Sequence, residues 1–189
     1  MAITLTLTHR VTDEELLELS ERNPEYQFER TARGELIVTP TSGQSGHREA
    51  RLIRQLDMWA DGEGHGLVLN ATTGFKLPDG SFFVPDAAWV KRERWEALSA
   101  EQRDEILSIS PDAAFEIRAK SSRSADLRDK MRAYLANGAR IAILIDPYER
   151  TVEVYRPGRE PQTCRDPSSI ALDPELPGFI LDIEPIFAS

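Results

Sequence analysis

Between Asp112 and Pro147 three stretches follow one another in an order that few folds can accommodate: "DAAFEIRAK", "SADLRDKMRAYLANGA" and "RIAILIDP". The first and third are apolar and short enough for buried strands. The middle one has a helical period, with Ser124 placed to cap it and Gly138 to stop it. A strand, a helix and a strand in that succession join parallel neighbours through a right-handed crossover. Hairpins earlier in the chain add antiparallel strands. The expected class is therefore α/β, with a mixed sheet flanked by helices.

The upstream sequence is consistent with that frame. Thr12 opens "TDEELLELSER", and Glu15 three positions on completes a capping box for a short amphipathic helix. "YQFER" and "ELIVTP", separated by Ala32-Arg33-Gly34, read as a hairpin. Leu52, Ile53, Leu56 and Trp59 mark a long helix that Ser45 caps and that Gly62 and Gly64 end. "GLVLNA" is a short buried strand. "GFKLPDGSFFVPDAAWV" is a hairpin turning at Pro78-Asp79-Gly80, its second arm interrupted by Pro85, which cannot donate to a ladder. "KRERWEALSAEQRDEI" is polar and helical or irregular. "TVEVYRPG" is a further strand, and the tail "LPGFILDIEPIF" a late strand or turn.

Composition excludes several classes. The chain has 189 residues, 40% of them apolar, which suits one domain with a real core. No segment approaches the roughly 18 apolar residues of a membrane span. The start lacks a basic region followed by an apolar block, so no signal peptide is read. The single cysteine, Cys164, excludes an internal disulfide, and a cytoplasmic location is expected. A net charge of −9 argues against a basic nucleic-acid coat. Residues 110–140 nevertheless carry seven Lys/Arg against four acids, +3, so the remainder stands at −12. That segment is either a solvated helix face of mixed charge or a positive patch beside a carboxylate site.

The charges in "FEIRAK" bear on this choice. Strand side chains alternate between faces, so Glu116, Arg118 and Lys120 would share one. Asp86 follows Pro85 in another apolar arm. If the two strands pair, both carboxylates converge at one sheet end. With a backbone carbonyl, that of Ile117, they make a hard oxygen site suited to Mg²⁺ or Mn²⁺. Such an ion polarises a phosphoryl oxygen and helps generate hydroxide, while Arg118 or Lys120 steadies phosphate charge. Pro-Asp occurs three times, at Pro78, Pro85 and Pro111, but only the middle one lies in an apolar strand ahead of "FEIRAK".

The stretches "VPDAAWV", "AAFEIRAKSSRSADLRDKMRAYLANGARIAILIDPYERTVEVYRPG" and "LPGFILDIEPIF" resemble the Uma-two family, restriction-endonuclease-like proteins once grouped as a domain of unknown function. The likeness covers most of the chain and is densest over residues 84–158. It implies the PD-(D/E)xK nuclease fold, a restriction-endonuclease-like αβββαβ core over about 42–158, preceded by a helix and hairpin region at 1–40 within one domain, 1–189. It implies Asp86 and Glu116 as metal ligands, and Lys130, in "DLRDKMRAY", as the lysine on the helix. The chain departs from the pattern after Glu116: the lysine expected two positions on is Arg118, which stays protonated and cannot act as a general base. Lys120 or Lys130 is then left to supply a titratable amine.

Secondary candidates follow. Glu49 on the long helix is either a third acid at the metal or a solvent-facing residue. His9, His47 and His65 show no ligand spacing and read as surface or capping residues. Gln44 and Ser45 stand where a helix N-terminus meets phosphate, although capping accounts for Ser45. Tyr134 packs or covers the site edge, the three tryptophans read as core or interface, and Asp146 as a turn cap. The leading expectation is a Mg²⁺- or Mn²⁺-dependent endonuclease acting on DNA, as a homodimer or higher homo-oligomer. The alternatives are a nuclease-like binding or regulatory module without catalysis, and a structural protein in which Glu116, Arg118 and Lys120 form a salt-bridge ladder.

Overall fold

The computed structural model describes residues 2–63 and 66–188. The chain runs β1 (Ile3–Leu5), α1 (Asp13–Arg22), β2 (Tyr26–Arg30), β3 (Leu36–Pro40), α2 (Gly43–Glu63), β4 (Gly66–Asn70), β5 (Phe75–Lys76), β6 (Phe82–Phe83) and β7 (Ala87–Lys91). It continues with α3 (Arg92–Glu96), α4 (Ala100–Asp104), β8 (Ala113–Ile117), α5 (Ser124–Ala136), β9 (Ile141–Asp146), β10 (Thr151–Tyr155), β11 (Gln162–Arg165), β12 (Ser169–Ala171), β13 (Ile180–Asp182) and α6 (Glu184–Phe187). Among the described residues the strands form a six-stranded sheet, β11-β10-β9-β8-β7-β4, a five-stranded sheet, β1-β3-β2-β6-β5, and the pair β12-β13.

The crossover expected from Asp112 to Pro147 is present. β8 and β9 pair in parallel, Phe115 opposite Ile143, with α5 between them in sequence. The other neighbours in the large sheet are antiparallel. The elements α2, β4, β7, β8, α5 and β9 make up the αβββαβ core.

Alternation along the central strands splits the core into two layers. Ala113, Phe115 and Ile117 face a cluster with Leu52 and Leu56 of α2 and Ile183 and Ile186 of the tail. Ala114 faces the other side, with Met131 and Tyr134 of α5. Burying each such Leu, Ile or Phe contributes about 1.5–3 kcal/mol. A third cluster, Leu16, Phe28, Leu36, Phe82 and Val84, sits under α1 on the smaller sheet. Thr12 caps α1 through the reciprocal contacts with Glu15.

Four local expectations are corrected. The hairpin arms at residues 75–83 are two residues each. After them Val84-Pro85-Asp86 leaves the small sheet, and β7 begins in the large one. Pro85, which has no N–H to give to either ladder, stands at that joint. β8 ends at Ile117, so Arg118 and Lys120 are not on a strand and share no strand face with Glu116. Ser124 is the first residue of α5 rather than its cap. At α2 the capping hydroxyl is that of Ser42, which accepts from the Ser45 N–H at 3.2 Å. Gly138, with φ of +101°, follows the end of α5 as expected. Gly64 and His65 lie outside the described residues.

Candidate active site

Four elements meet at one end of the large sheet. Ala87 lies opposite Phe115, so Asp86 and Glu116 stand one position beyond, on a common face. An oxygen of Asp86 accepts the Ile117 N–H at 2.6 Å, fixing that carboxylate against the end of β8. Glu116 is 5% exposed and faces α5.

The helix answers with Lys130, one turn before Tyr134 and on the same side. Lys130 is 6% exposed. Its ammonium lies 2.6 Å from Glu116 Oε1 and 2.7 Å from Glu29 Oε1, and it donates to the Val84 carbonyl at 3.4 Å. All three donors of the ammonium are thus used. The Tyr134 hydroxyl donates to Glu116 Oε1 at 3.3 Å. Glu29, from β2, is 4% exposed and accepts the Val84 N–H at 2.6 Å.

Glu29, Val84, Asp86, Glu116 and Lys130 form the floor of a cleft of about 400 Å³. Glu49 of α2 lines it with Asp86. Its walls carry the hydroxyl residues Ser20, Thr39, Thr41, Ser42, Ser45 and Thr72.

Negative charge outnumbers positive here. Burial pushes the Asp86 carboxyl up to about 7; Glu49 adds to the rise, against the pull of the Ile117 N–H. Burial likewise raises Glu116, with Asp86 and Glu29 adding and Lys130 opposing. Glu49 is raised by burial and by Glu116. Burial alone would lower Lys130, but Glu116 and Glu29 outweigh it and hold the ammonium above its ordinary range. Lys130 is therefore held as a cation between the two carboxylates.

Three carboxylates whose protons are held too tightly, and no thiolate or imidazole, fit a hard divalent cation by donor chemistry. Among the described residues, no three His, Cys, Asp or Glu side chains are gathered at ligand separations. The lysine between Glu29 and Glu116, and the amide bound to Asp86, occupy the inner lone pairs.

Arg118 and Lys120 lie elsewhere. The Arg118 guanidinium reaches both oxygens of Asp146 at 3.1 Å and stacks over Tyr148, and neither Arg118 nor Lys120 lines the cleft. Lys120 is exposed in a turn. A salt-bridge ladder of Glu116, Arg118 and Lys120 is absent among the described residues: Glu116 pairs with Lys130 and Arg118 with Asp146. Asp146 also accepts the N–H groups of Tyr148 and Glu149, the turn cap expected of it. His9 pairs with Glu15 on the surface, and His47 is exposed. Trp59 packs on Trp89 and Phe179, with centroids at 5.4 and 5.3 Å. Among the described residues no helix is long and apolar enough to cross a membrane.

Sequence reasoning missed Glu29. In "YQFER" it alternates with Phe28 as a solvent-facing residue would, and only the packing of β2 beside β6 and α5 buries it.

A family model described as "Uma2: Putative restriction endonuclease" matches residues 13–184. None of the curated proteins matches the chain. Among solved structures, the crystal structure of a "putative nuclease belonging to DUF820" from Anabaena variabilis ATCC 29413 aligns with a TM-score of 0.76 at 21% identity. The alignment covers 93% of this chain and 96% of that one, and at this identity it speaks for the fold.

Proposed function

The chain belongs to the Uma2 family, and from that premise we propose that it is a divalent-metal-dependent endonuclease hydrolysing DNA phosphodiester bonds. One observation carries the reading. Beneath an open cleft, a buried lysine lies 2.6 Å from Glu116, beside an Asp86 that the strand register sets on the same face. A structural ion pair has no need of a third and fourth carboxylate with raised pKa values around it; perturbed groups lining one cleft are the mark of a working site.

In this reading Asp86, Glu116, the Ile117 carbonyl and Glu49 hold the ion, Mg²⁺ or Mn²⁺. Bound there, it supplies Lewis acidity and a water acidic enough to attack phosphorus near neutral pH. The protein's own groups do the rest. The Ile117 amide holds one Asp86 oxygen, leaving the other for the cleft. Tyr134 and Lys130 orient Glu116. Lys130, kept as ammonium, offsets the charge that grows on the phosphate during in-line displacement. Arg118, committed to Asp146, braces the loop after β8 rather than the phosphate. Lys120, exposed on that loop, adds long-range attraction for polyanions.

The test is nicking of supercoiled plasmid. The parent protein nicks it in Mn²⁺ or Mg²⁺ and not in EDTA, while Asp86→Ala and Glu116→Ala are silent. Equal nicking by all three preparations would sink the reading. A module that binds nucleic acid without turnover is favoured by one observation, the arginine at position 118 tied to Asp146. It predicts binding in the absence of nicking in either metal.

A further inference from the structure

Resting on the nuclease reading, we propose that the cleft takes its substrate as an unpaired single strand, with Tyr26 as the platform on which a base stacks. The floor comes first in the argument. Glu116 and Lys130 are 5% and 6% exposed, so a phosphate must descend into the cleft to meet them. A cleft of about 400 Å³ has small-ligand size. A rigid double helix presents its phosphates on a convex surface and reaches that floor less readily than a strand with splayed bases. Enzymes that do chemistry on a base in duplex DNA likewise take that nucleotide out of the stack.

The rim then supplies what an unpaired strand needs. Tyr26 opens β2, three positions before Glu29, and lines the cleft while remaining 40% exposed. Pro40 lies directly opposite it in the ladder, and Pro24 lines the same wall. The backbone that carries the ring is thus fixed in a ladder, and the ring lies tilted against Phe28 with centroids at 6.3 Å. Every base has a face that stacks on such a ring, and stacking is tolerant of sequence.

Ala119 and Ser122 also belong to the lining, and their neighbours Lys120 and Arg123 are exposed. Two solvated cations beside lining residues and one aromatic ring in the lining match the alternation of phosphate and base along a single strand. Among the described residues that line the cleft, Lys130 is the one Lys or Arg, and two carboxylates already hold it. A duplex reader would need a broad basic face, which a net charge of −9 does not provide.

The experiment is fluorescence anisotropy of a labelled oligothymidine and of a duplex of equal length, in a calcium buffer, with cleavage monitored separately. The single strand binds at least tenfold tighter than the duplex. Tyr26→Leu, which keeps an apolar side chain on the strand, weakens single-strand binding about tenfold, and Tyr26→Trp preserves it. Tyr148→Ala removes an aromatic of similar exposure, 43%, that does not line the cleft, and leaves affinity unchanged. Lys120→Ala with Arg123→Ala lowers the slope of log K against log salt by about 1.4, at about 0.7 per phosphate contact. Duplex binding as tight as single-strand binding, or a Tyr26→Leu variant that binds like the parent, overturns the proposal while leaving the nuclease reading intact. Failure of both nucleic acids to bind overturns both.

Discussion

Replacing Lys130 by methionine tests the electrostatic design of the site directly. The ammonium stands 2.6 Å from Glu116 and 2.7 Å from Glu29, both nearly inaccessible to water. At an effective dielectric constant near 20, each contact is worth about 6 kcal/mol before desolvation. Desolvating the three charges costs several kcal/mol per ion, so the net value is far smaller. Deleting the cation alone is a different matter, because two buried carboxylates lose their partner; the expected loss is about 3–5 kcal/mol. That is a large share of the 5–15 kcal/mol typical of a domain. The loss should depend on pH with a defined sign. Without the cation the folded-state pKa of Glu116, already raised, rises further. Folding then takes up a proton, and stability falls as pH climbs from the ordinary carboxylate range. The measurement is urea unfolding followed by tryptophan fluorescence, at pH 8 and pH 5.5. Lys130→Met should lose the full amount at pH 8 and clearly less at pH 5.5. Adding Glu116→Gln should restore more than half of the deficit at pH 8. A deficit below about 1 kcal/mol at pH 8, or one of equal size at both pH values, would refute the picture of a cation compensating buried carboxylates.

Two further perturbations have clear signs. The Asp86 carboxyl is held up to about 7 by burial, so in metal-free protein its contribution is complete at acid pH and is lost as pH rises from about 4 through 7. Asp86→Asn should flatten that decline and stabilise the metal-free fold at pH 8 by about 2 kcal/mol, half of what three units at 1.36 kcal/mol would give; a variant with the parent's pH profile would contradict this. A methyl group at Gly66 would stand 2.3 Å from the Val90 carbonyl oxygen and 2.6 Å from Trp89 Nε1. Gly66→Ala should therefore cost about 1–3 kcal/mol in chemical denaturation, and a neutral result would mean that β4 and β7 separate easily.

The parallel crossover was legible because burial on both faces leaves an uninterrupted apolar run, and "IAILID" can be little else. Asp86 and Glu116 were legible as a pair because Pro85 and the apolar flanks fix where each strand stands. What failed were extrapolations past an element's end. Alternation from Glu116 reaches Lys120 only if the strand continues, and "KSSRS" is the kind of polar, serine-rich run that stops one. At α2 the cap expected at Ser45 falls three residues earlier, at Ser42, whose hydroxyl accepts the Ser45 N–H. Glu29 carried no local signal at all. Its burial arises from the meeting of two sheets that are far apart in sequence, and a strand of five residues with three charged or amide side chains says nothing of that.

The passage of the chain from one sheet to the other at Val84 has a consequence for how this molecule could be observed. The Val84 amide donates to Glu29 and its carbonyl accepts from Lys130, so one residue at the joint between the sheets is bonded to both partners of the ionic cluster. A shift of β2 or of α5 away from that joint would break one bond or the other. The exchange rate and chemical shift of that single amide proton would then serve as a built-in gauge, reporting on the acidic pocket from a residue that takes no part in chemistry.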